Sequence, residues 1–125
     1  MDKSKKGRAA KEKGARGERM LVKFFEKFGL TAKRGFVWMN QSDLIGLDGI
    51  HVECKNCEKL NVRQALSQAI EEADKRKDGL PTVFWHKSRS GWVTIMRTED
   101  WIVLYKLARS KHDTVRKNPD IHEGE

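Results

Sequence analysis

The chain has no run of apolar residues approaching the ~18 that a membrane-spanning helix needs, and apolar residues make up only 38% of it. No membrane role is expected. The basic start, Met1-Asp2-Lys3-Ser4-Lys5-Lys6-Gly7, is not followed at once by an apolar stretch. That argues against a secretory signal and for a cytoplasmic protein. Cysteine is nearly absent: two residues, both in Cys54-Lys55-Asn56-Cys57. Such a pair can be a redox site or half a zinc site. A tetrahedral zinc site wants four ligands, and neither a second C-x-x-C nor a nearby C-x-x-H supplies them. Cys54 alternates with Ile50 and Val52 on one strand face, so it is expected to point into the core. There is no internal repeat. At 125 residues, the chain can bury one modest core and is too short for two.

What the chain has in excess is charge. Charged residues reach 35%, the formal net charge is +8 and the sequence pI is about 9.7. This balance favours polyanionic partners, nucleic acid first. The excess is concentrated. Residues 1–19 carry Lys3, Lys5, Lys6, Arg8, Lys11, Lys13, Arg16 and Arg19 against Asp2, Glu12 and Glu18. A solvated, frayed tail would account for the run. A DNA-contacting arm also accounts for its leading directly into Glu18, a candidate site residue.

The apolar pattern sets the elements. Met20, Leu21, Phe24, Phe25 and Phe28 recur at helical spacing and predict a helix over about 13–28, stopped by Gly29. A short strand is expected around 31–37. Strands at 43–47 and 50–55 follow, joined by the turn signal Asp48-Gly49. Val62, Leu66, Ala69 and Ala73 form the stripe of a second helix, with Asn61 as its N-cap and Gln64 in a capping-box position. Lys75, Arg76 and Lys77 suit its C-terminal dipole, and Gly79 and Pro81 are expected to end it. Strands over 82–86 and 92–96 come next, then a helix from Thr98 to about Ala108. Residues 110–125 lack periodicity and read as a polar tail. The order is helix, three strands, helix, two strands, helix. The expected fold is α/β, a mixed sheet of about five strands flanked by helices, with a parallel pair across the central strand–helix–strand step.

Glu53-Cys54-Lys55 is the densest piece of chemistry. Residues two apart on a strand share a face, so Glu53 and Lys55 lie side by side. Asp43 stands ten residues before Glu53. With a two-residue loop at Asp48-Gly49, Asp43 would point to the opposite face. With a three-residue loop, Leu47-Asp48-Gly49, and Gly49 left-handed, Asp43 falls opposite Glu53. The odd-length loop is the expectation. Two acids and a lysine on one face are the groups that metal-assisted hydrolysis of a phosphodiester uses.

Glu18 lies near the apolar face of the first helix, where a carboxylate needs a metal ion or an arginine as partner. Gly14 and Gly17 around it let a backbone come close to a ligand. Gln68, beside the second helix's stripe, is placed to bond the strand, a water or a phosphate. A surface glutamine is the alternative. His51 shares the face of Glu53 and is read as a satisfied structural histidine rather than a proton carrier. Trp85, Trp92 and Trp101 are expected to pack in the core or at its edge. Trp38, in a loop, is the tryptophan suited to base stacking or a dimer contact.

These segments together resemble the PD-(D/E)-x-K nuclease superfamily, and within it the Holliday-junction-resolvase-like endonucleases, including small phage-encoded members. The carriers are Gly14-Ala15-Arg16-Gly17-Glu18-Arg19, Ser42-Asp43, Ile50-His51-Val52-Glu53-Cys54-Lys55-Asn56 and Ala65-Leu66-Ser67-Gln68-Ala69. Ser42 stands where the signature has proline, which removes no chemical group. The resemblance implies a restriction-endonuclease-like sheet, Mg²⁺ or Mn²⁺ as cofactor, branched or structured DNA as substrate, and a homodimer. It implies that Asp43, Glu53 and the Cys54 carbonyl hold the ion with support from Glu18, that Lys55 positions the water, and that Gln68 assists. Lys5, Lys6, Arg8, Lys11, Lys13, Arg16, Arg19 and Arg34 would bind DNA. The chain then divides into a basic flexible arm over 1–12, a nuclease domain over 13–109 and a tail over 110–125. The alternatives are a nicking or restriction-type nuclease of the same fold and a non-catalytic basic DNA-binding module.

Overall fold

The structure, a computed structural model, describes the backbone of residues 3–116 and the side chains of residues 7–111. Helix α1 spans Lys3–Lys27, and strand β1 is only Lys33–Arg34. A 3₁₀ turn at Val37–Met39 leads to β2, Leu44–Ile45, and β3, Ile50–Asn56. Helix α2 covers Val62–Arg76, β4 Leu80–Lys87, β5 Gly91–Ile95 and α3 Thr98–Arg116. The five strands form one sheet in the order β1-β2-β3-β4-β5. Every neighbouring pair is antiparallel except β3 and β4, which run parallel across the α2 crossover. The expected α/β class, five-strand mixed sheet and element order are therefore observed. Among the described residues no helix is long and apolar enough to cross a membrane.

Alternation along β3 divides the core into two layers. Val52 and Cys54 face α1 and pack with Leu21, Phe25, Ala32 and Leu44. Phe25 meets the Phe84 ring edge-on at 5.3 Å. The odd residues of β3 face the other way, toward α2. There Ala65 and Ala69 lie against Val83, the β4 partner of Glu53. The small side chains of the α2 stripe let that helix sit close to the sheet. Asn61 caps it as expected, its Oδ1 accepting the Gln64 N–H at 3.0 Å.

Four expectations are corrected. Residues 3–12 are not a separate arm but the first turns of α1. The run lacks apolar spacing, yet Ala9, Ala10, Arg8, Glu12 and its lysines are strong helix formers, and these outweigh Gly7. Helix α3 likewise continues to Arg116, into the stretch 110–125 read as a tail, of which 117–125 lie outside the described residues. Helix α2 is closed not by Gly79 but by Lys77, which takes the left-handed conformation at φ 51°. Pro81 is a strand residue paired with His51. Finally, Trp101 is not in the core; it is half exposed on α3, its ring stacked on Tyr105 at 5.3 Å.

Candidate active site

The site forms where β2 and β3 begin to part. Leu44 pairs with Val52, so Asp43, one step before β2, stands opposite Glu53. The turn that sets this parity is Leu47-Asp48-Gly49. The Ile50 N–H donates to the Leu47 carbonyl at 3.1 Å, and Gly49 is left-handed at φ 86°. The odd-length loop expected from the sequence is the one present. Ser42, buried beside it, donates its hydroxyl to the Leu44 carbonyl at 2.8 Å and so shapes the entry to β2.

Asp43 Oδ2 accepts the Cys54 N–H at 2.8 Å. Burial, then the charge of Glu53 and more weakly that of Glu18, push the Asp43 carboxyl from 3.8 up to about 7. The Cys54 N–H and the Lys55 ammonium act in the opposite direction without cancelling this. Asp43 therefore feels two other carboxylates and one lysine, the four groups singled out in the sequence. Lys55 is held in turn: its Nζ donates to Gln68 Oε1 at 3.0 Å. The Cys54 thiol faces the α1 core layer as expected, and burial pushes its pKa upward. Both thiols are free.

Glu53 is almost completely buried and has a support absent from the sequence reading. His51 Nε2 lies 3.1 Å from Glu53 Oε1, and His51 Nδ1 lies 2.7 Å from Asp78 Oδ1. The ring itself has no solvent exposure. Burial works to lower its pKa, but the hydrogen bonds to Glu53 and Asp78 and their charges outweigh that and raise it above 6.5. A carboxylate within hydrogen-bond distance of each nitrogen favours the protonated ring, which can donate to both. The chain Asp78–His51–Glu53 fixes the orientation of a site acid. His51 was visible as a residue on the Glu53 face. Asp78 carried no signal, being one more polar residue after a helix.

Glu18 takes the arginine option. Arg34 Nε donates to its Oε1 at 2.8 Å. Arg34, expected to grip DNA, is thereby tied to α1. Gly17 serves the chain rather than a ligand: a side chain there would meet Asn56 Cβ at 2.7 Å, so glycine lets α1 settle onto the end of β3. Asn56 Nδ2 in turn donates to the Lys13 carbonyl at 3.3 Å. Among the described residues, no three His, Cys, Asp or Glu side chains are gathered so as to hold a metal ion. The expected closure of three carboxylates on one cation is thus not preformed. The reason is local. Glu18 comes from the α1 side and is held by Arg34, Glu53 is held by His51, and Asp43 by the Cys54 amide.

A cleft of about 750 Å³ opens beside these acids, between α1 and the segment 34–43. Arg8, Lys11, Glu18, Arg34 and Asp43 line it. Of the other expected DNA contacts, Arg19 is paired with Glu12 at 2.8 Å. Lys13 and Arg16 are exposed on α1. Lys5 and Lys6 lie on α1 with side chains outside the described residues. Trp38 stands 80% exposed on the 3₁₀ turn, its ring 5.6 Å from that of Phe36. No protein-family model matches the chain, and no curated protein matches it.

Proposed function

We propose that the protein is a metal-dependent endodeoxyribonuclease with a restriction-endonuclease-like sheet, acting on branched or structured DNA. One observation carries this reading. Asp43 and Glu53 stand opposite each other at the fork of β2 and β3, and Asp43 is charged only reluctantly beside Glu53. An acid pair left in mutual repulsion, with hard oxygen donors, suits a hard divalent cation. Asp43, Glu53 and the Cys54 carbonyl are the groups that would hold Mg²⁺ or Mn²⁺. The ion would supply neutralisation of charge at the scissile phosphate.

The remaining work falls to the chain's own residues. Lys55 orients the attacking water and steadies the phosphate, and Gln68 keeps its Nζ in place. His51 and Asp78 hold the Glu53 carboxylate in one orientation. Arg8 and Lys11 in the cleft, with Lys13 and Arg16 along α1, attract the phosphate backbone. Trp38, exposed on the 3₁₀ turn next to the cleft-lining Val37, offers a face on which an unpaired base can stack. A homodimer would match the two-fold symmetry of a four-way junction.

The test is cleavage of a synthetic four-way junction and a linear duplex, each with Mg²⁺ and with Mn²⁺. Junction cutting that Glu53→Ala abolishes while binding persists is the expected result. Equal cutting of the duplex would leave a general, nicking or restriction-type nuclease. A second reading draws on the partners already occupying Glu18 and Glu53: a basic DNA-binding module whose acids are structural. Binding without cleavage of any DNA by either metal would select it.

A further inference from the structure

The hairpin that joins β1 to β2 ends at the site. Gly35 extends the ladder by one more step: its N–H donates to the Asp43 carbonyl at 2.9 Å. Glycine allows that closure, since a side chain at 35 would collide with the Ser42 carbonyl. Phe36 and Gln41 then lock the loop across its base. The Gln41 N–H donates to the Phe36 carbonyl at 3.2 Å, and the Phe36 N–H donates back to Gln41 Oε1 at 3.0 Å. Inside the lock, the Met39 and Asn40 N–H groups close the 3₁₀ turn onto the Phe36 and Val37 carbonyls at 3.0 and 2.9 Å. Asn40 takes the left-handed conformation at φ 54°, and its Oδ1 accepts Arg76 Nε of α2 at 3.4 Å. The loop is pinned at its base, its tip and its far side.

What this frame holds out is apolar. Phe36 is 50% exposed, Val37 90%, Trp38 80% and Met39 50%. A hairpin tip ordinarily carries Gly, Asn, Asp or Ser. Four successive large apolar residues there form a patch of roughly 500 Å², a size that on a monomer is often functional. The Phe36 and Trp38 rings lie 5.6 Å apart, while Val37 lines the cleft with Arg8, Lys11 and Asp43. Among the described residues Arg8 and Lys11 have no ion-pair partner, whereas Glu12 and Glu18 of the same cleft are paired with Arg19 and Arg34. Cationic ground for phosphates therefore adjoins the apolar tip. Three residues of chain separate Trp38 from the Gly35–Asp43 step, at most ~10 Å, or about three base steps along a DNA strand.

Stacking one free base needs only one ring. A rigid apolar tip flanked by cations has the make-up of a wedge, in which apolar side chains pushed between base steps unstack them and kink the duplex. We infer that residues 36–39 are such a wedge, entering DNA at a branch point and holding open the base pairs beside the phosphate to be cut. The inference rests on the DNA-cleaving reading above and gives it a substrate rule. Unstacking costs least where bases are already poorly stacked, so a branch point is opened readily and continuous duplex is not. The lock between Phe36 and Gln41 has a purpose in this setting: it removes beforehand the freedom that a loose tip would lose on insertion.

Permanganate, which oxidises unstacked thymines, tests this on a four-way junction with thymines at the branch. Ca²⁺ replaces Mg²⁺ so that the DNA stays intact. At protein concentrations that saturate the junction by anisotropy, the branch thymines should become several-fold more reactive. Val37→Ser with Trp38→Ser, both at exposed positions and so compatible with the fold, should return them to the reactivity of the free junction. The same double substitution should weaken binding of the paired junction and leave binding of a junction with mismatched central pairs unchanged. A saturated junction without new reactivity, or reactivity that the double substitution leaves in place, would overturn the inference. Equal loss of affinity for paired and mismatched junctions would also overturn it, leaving Trp38 a passive stacking face. A dimer split by the double substitution while reactivity persists would make the tip a subunit contact instead. The nuclease reading fails separately. Opened thymines without cleavage in Mg²⁺ or Mn²⁺ would support the wedge and remove the enzyme; cleavage without opened thymines would do the reverse. Absence of binding to any of these DNAs would overturn both.

Discussion

Asp43→Asn should make this protein more stable, and only at pH values where the Asp43 carboxyl of the unfolded chain is ionised. In the fold the carboxyl is raised from 3.8 to about 7 by burial and by the charge of Glu53. Well below the unfolded value of 3.8 the group is neutral both folded and unfolded, so it contributes no difference. As the pH rises from there, the unfolded chain releases the proton while the fold retains it, and the fold loses ground. Above about 7 the loss is complete. At ~1.4 kcal/mol per pKa unit it amounts to roughly 4 kcal/mol. An amide removes the charge, and its oxygen can still accept the Cys54 N–H. Its new N–H₂ must find partners in a half-buried place, which costs ~1–2 kcal/mol. A net gain of about 2 kcal/mol is expected at pH 8, on the order of 10 °C in Tm for a domain of this size. Thermal unfolding followed by circular dichroism in EDTA, at pH 4, 6 and 8, measures it. The advantage should shrink steadily toward pH 4. Millimolar Mg²⁺ should narrow the gap at pH 8 by stabilising only the unsubstituted protein. No gain at pH 8, or a gain independent of pH, would refute the view that Asp43 and Glu53 are held in mutual repulsion.

Other substitutions separate the parts of the site. Gln68→Ala should leave folding unchanged and slow cleavage about tenfold, roughly 1.4 kcal/mol of lost positioning of Lys55; an equal rate in single-turnover assays would remove Gln68 from the site. Asp78→Asn should lower the turnover of bound DNA with little change in DNA affinity, because it frees one end of the His51 bridge; an effect on affinity alone would contradict that role. Replacing Arg8 and Lys11 together by Ala should reduce the salt slope of DNA binding by about two, since each phosphate contact contributes about one; fluorescence anisotropy at several salt concentrations reads this out. Gly17→Val should cost ~1–3 kcal/mol in urea unfolding, because a side chain there collides with Asn56 and must push α1 off β3.

The parts legible in the sequence were those decided by short-range rules. The parity of the loop before β3 follows from counting residues to Gly49, and it correctly set Asp43 opposite Glu53. The Asn61 cap and the alanine stripe of α2 gave that helix, and the strand–helix–strand step gave the parallel pair. The ends of α1 and α3 are not legible in apolar periodicity, which stops short of where both helices stop. Alanines and long charged side chains continue helices without any such pattern. The partners of Glu18 and His51 were illegible for another reason. Arg34 lies 16 residues from Glu18 and Asp78 lies 27 from His51, and only the folded sheet brings them together. Trp101 was misplaced because an apolar residue on a helix usually marks the core, whereas this helix leaves the core at Asp100.

The buried polar groups also bear on whether the site has a function beyond stability. Asp78, His51 and Glu53 form a chain of opposite charges inside the α2 layer, with His51 wholly enclosed. Replacing buried ion pairs by apolar side chains of similar size is often neutral or stabilising, so the fold alone gives little reason to keep them. The chain does not even end in balance. Beyond Glu53 stands Asp43, whose ionisation the fold resists, and beyond that Glu18, which adds to the repulsion and is itself held by Arg34. A structural network would finish in a cation. This one sets His51 to orienting Glu53 and leaves a second acid facing it only partly offset by the Cys54 N–H and Lys55, at the wall of a cleft lined by Arg8 and Lys11. The arrangement lowers stability at neutral pH and gains nothing for the core. On the function proposed above, a cation and a phosphate entering the cleft are what would offset that cost.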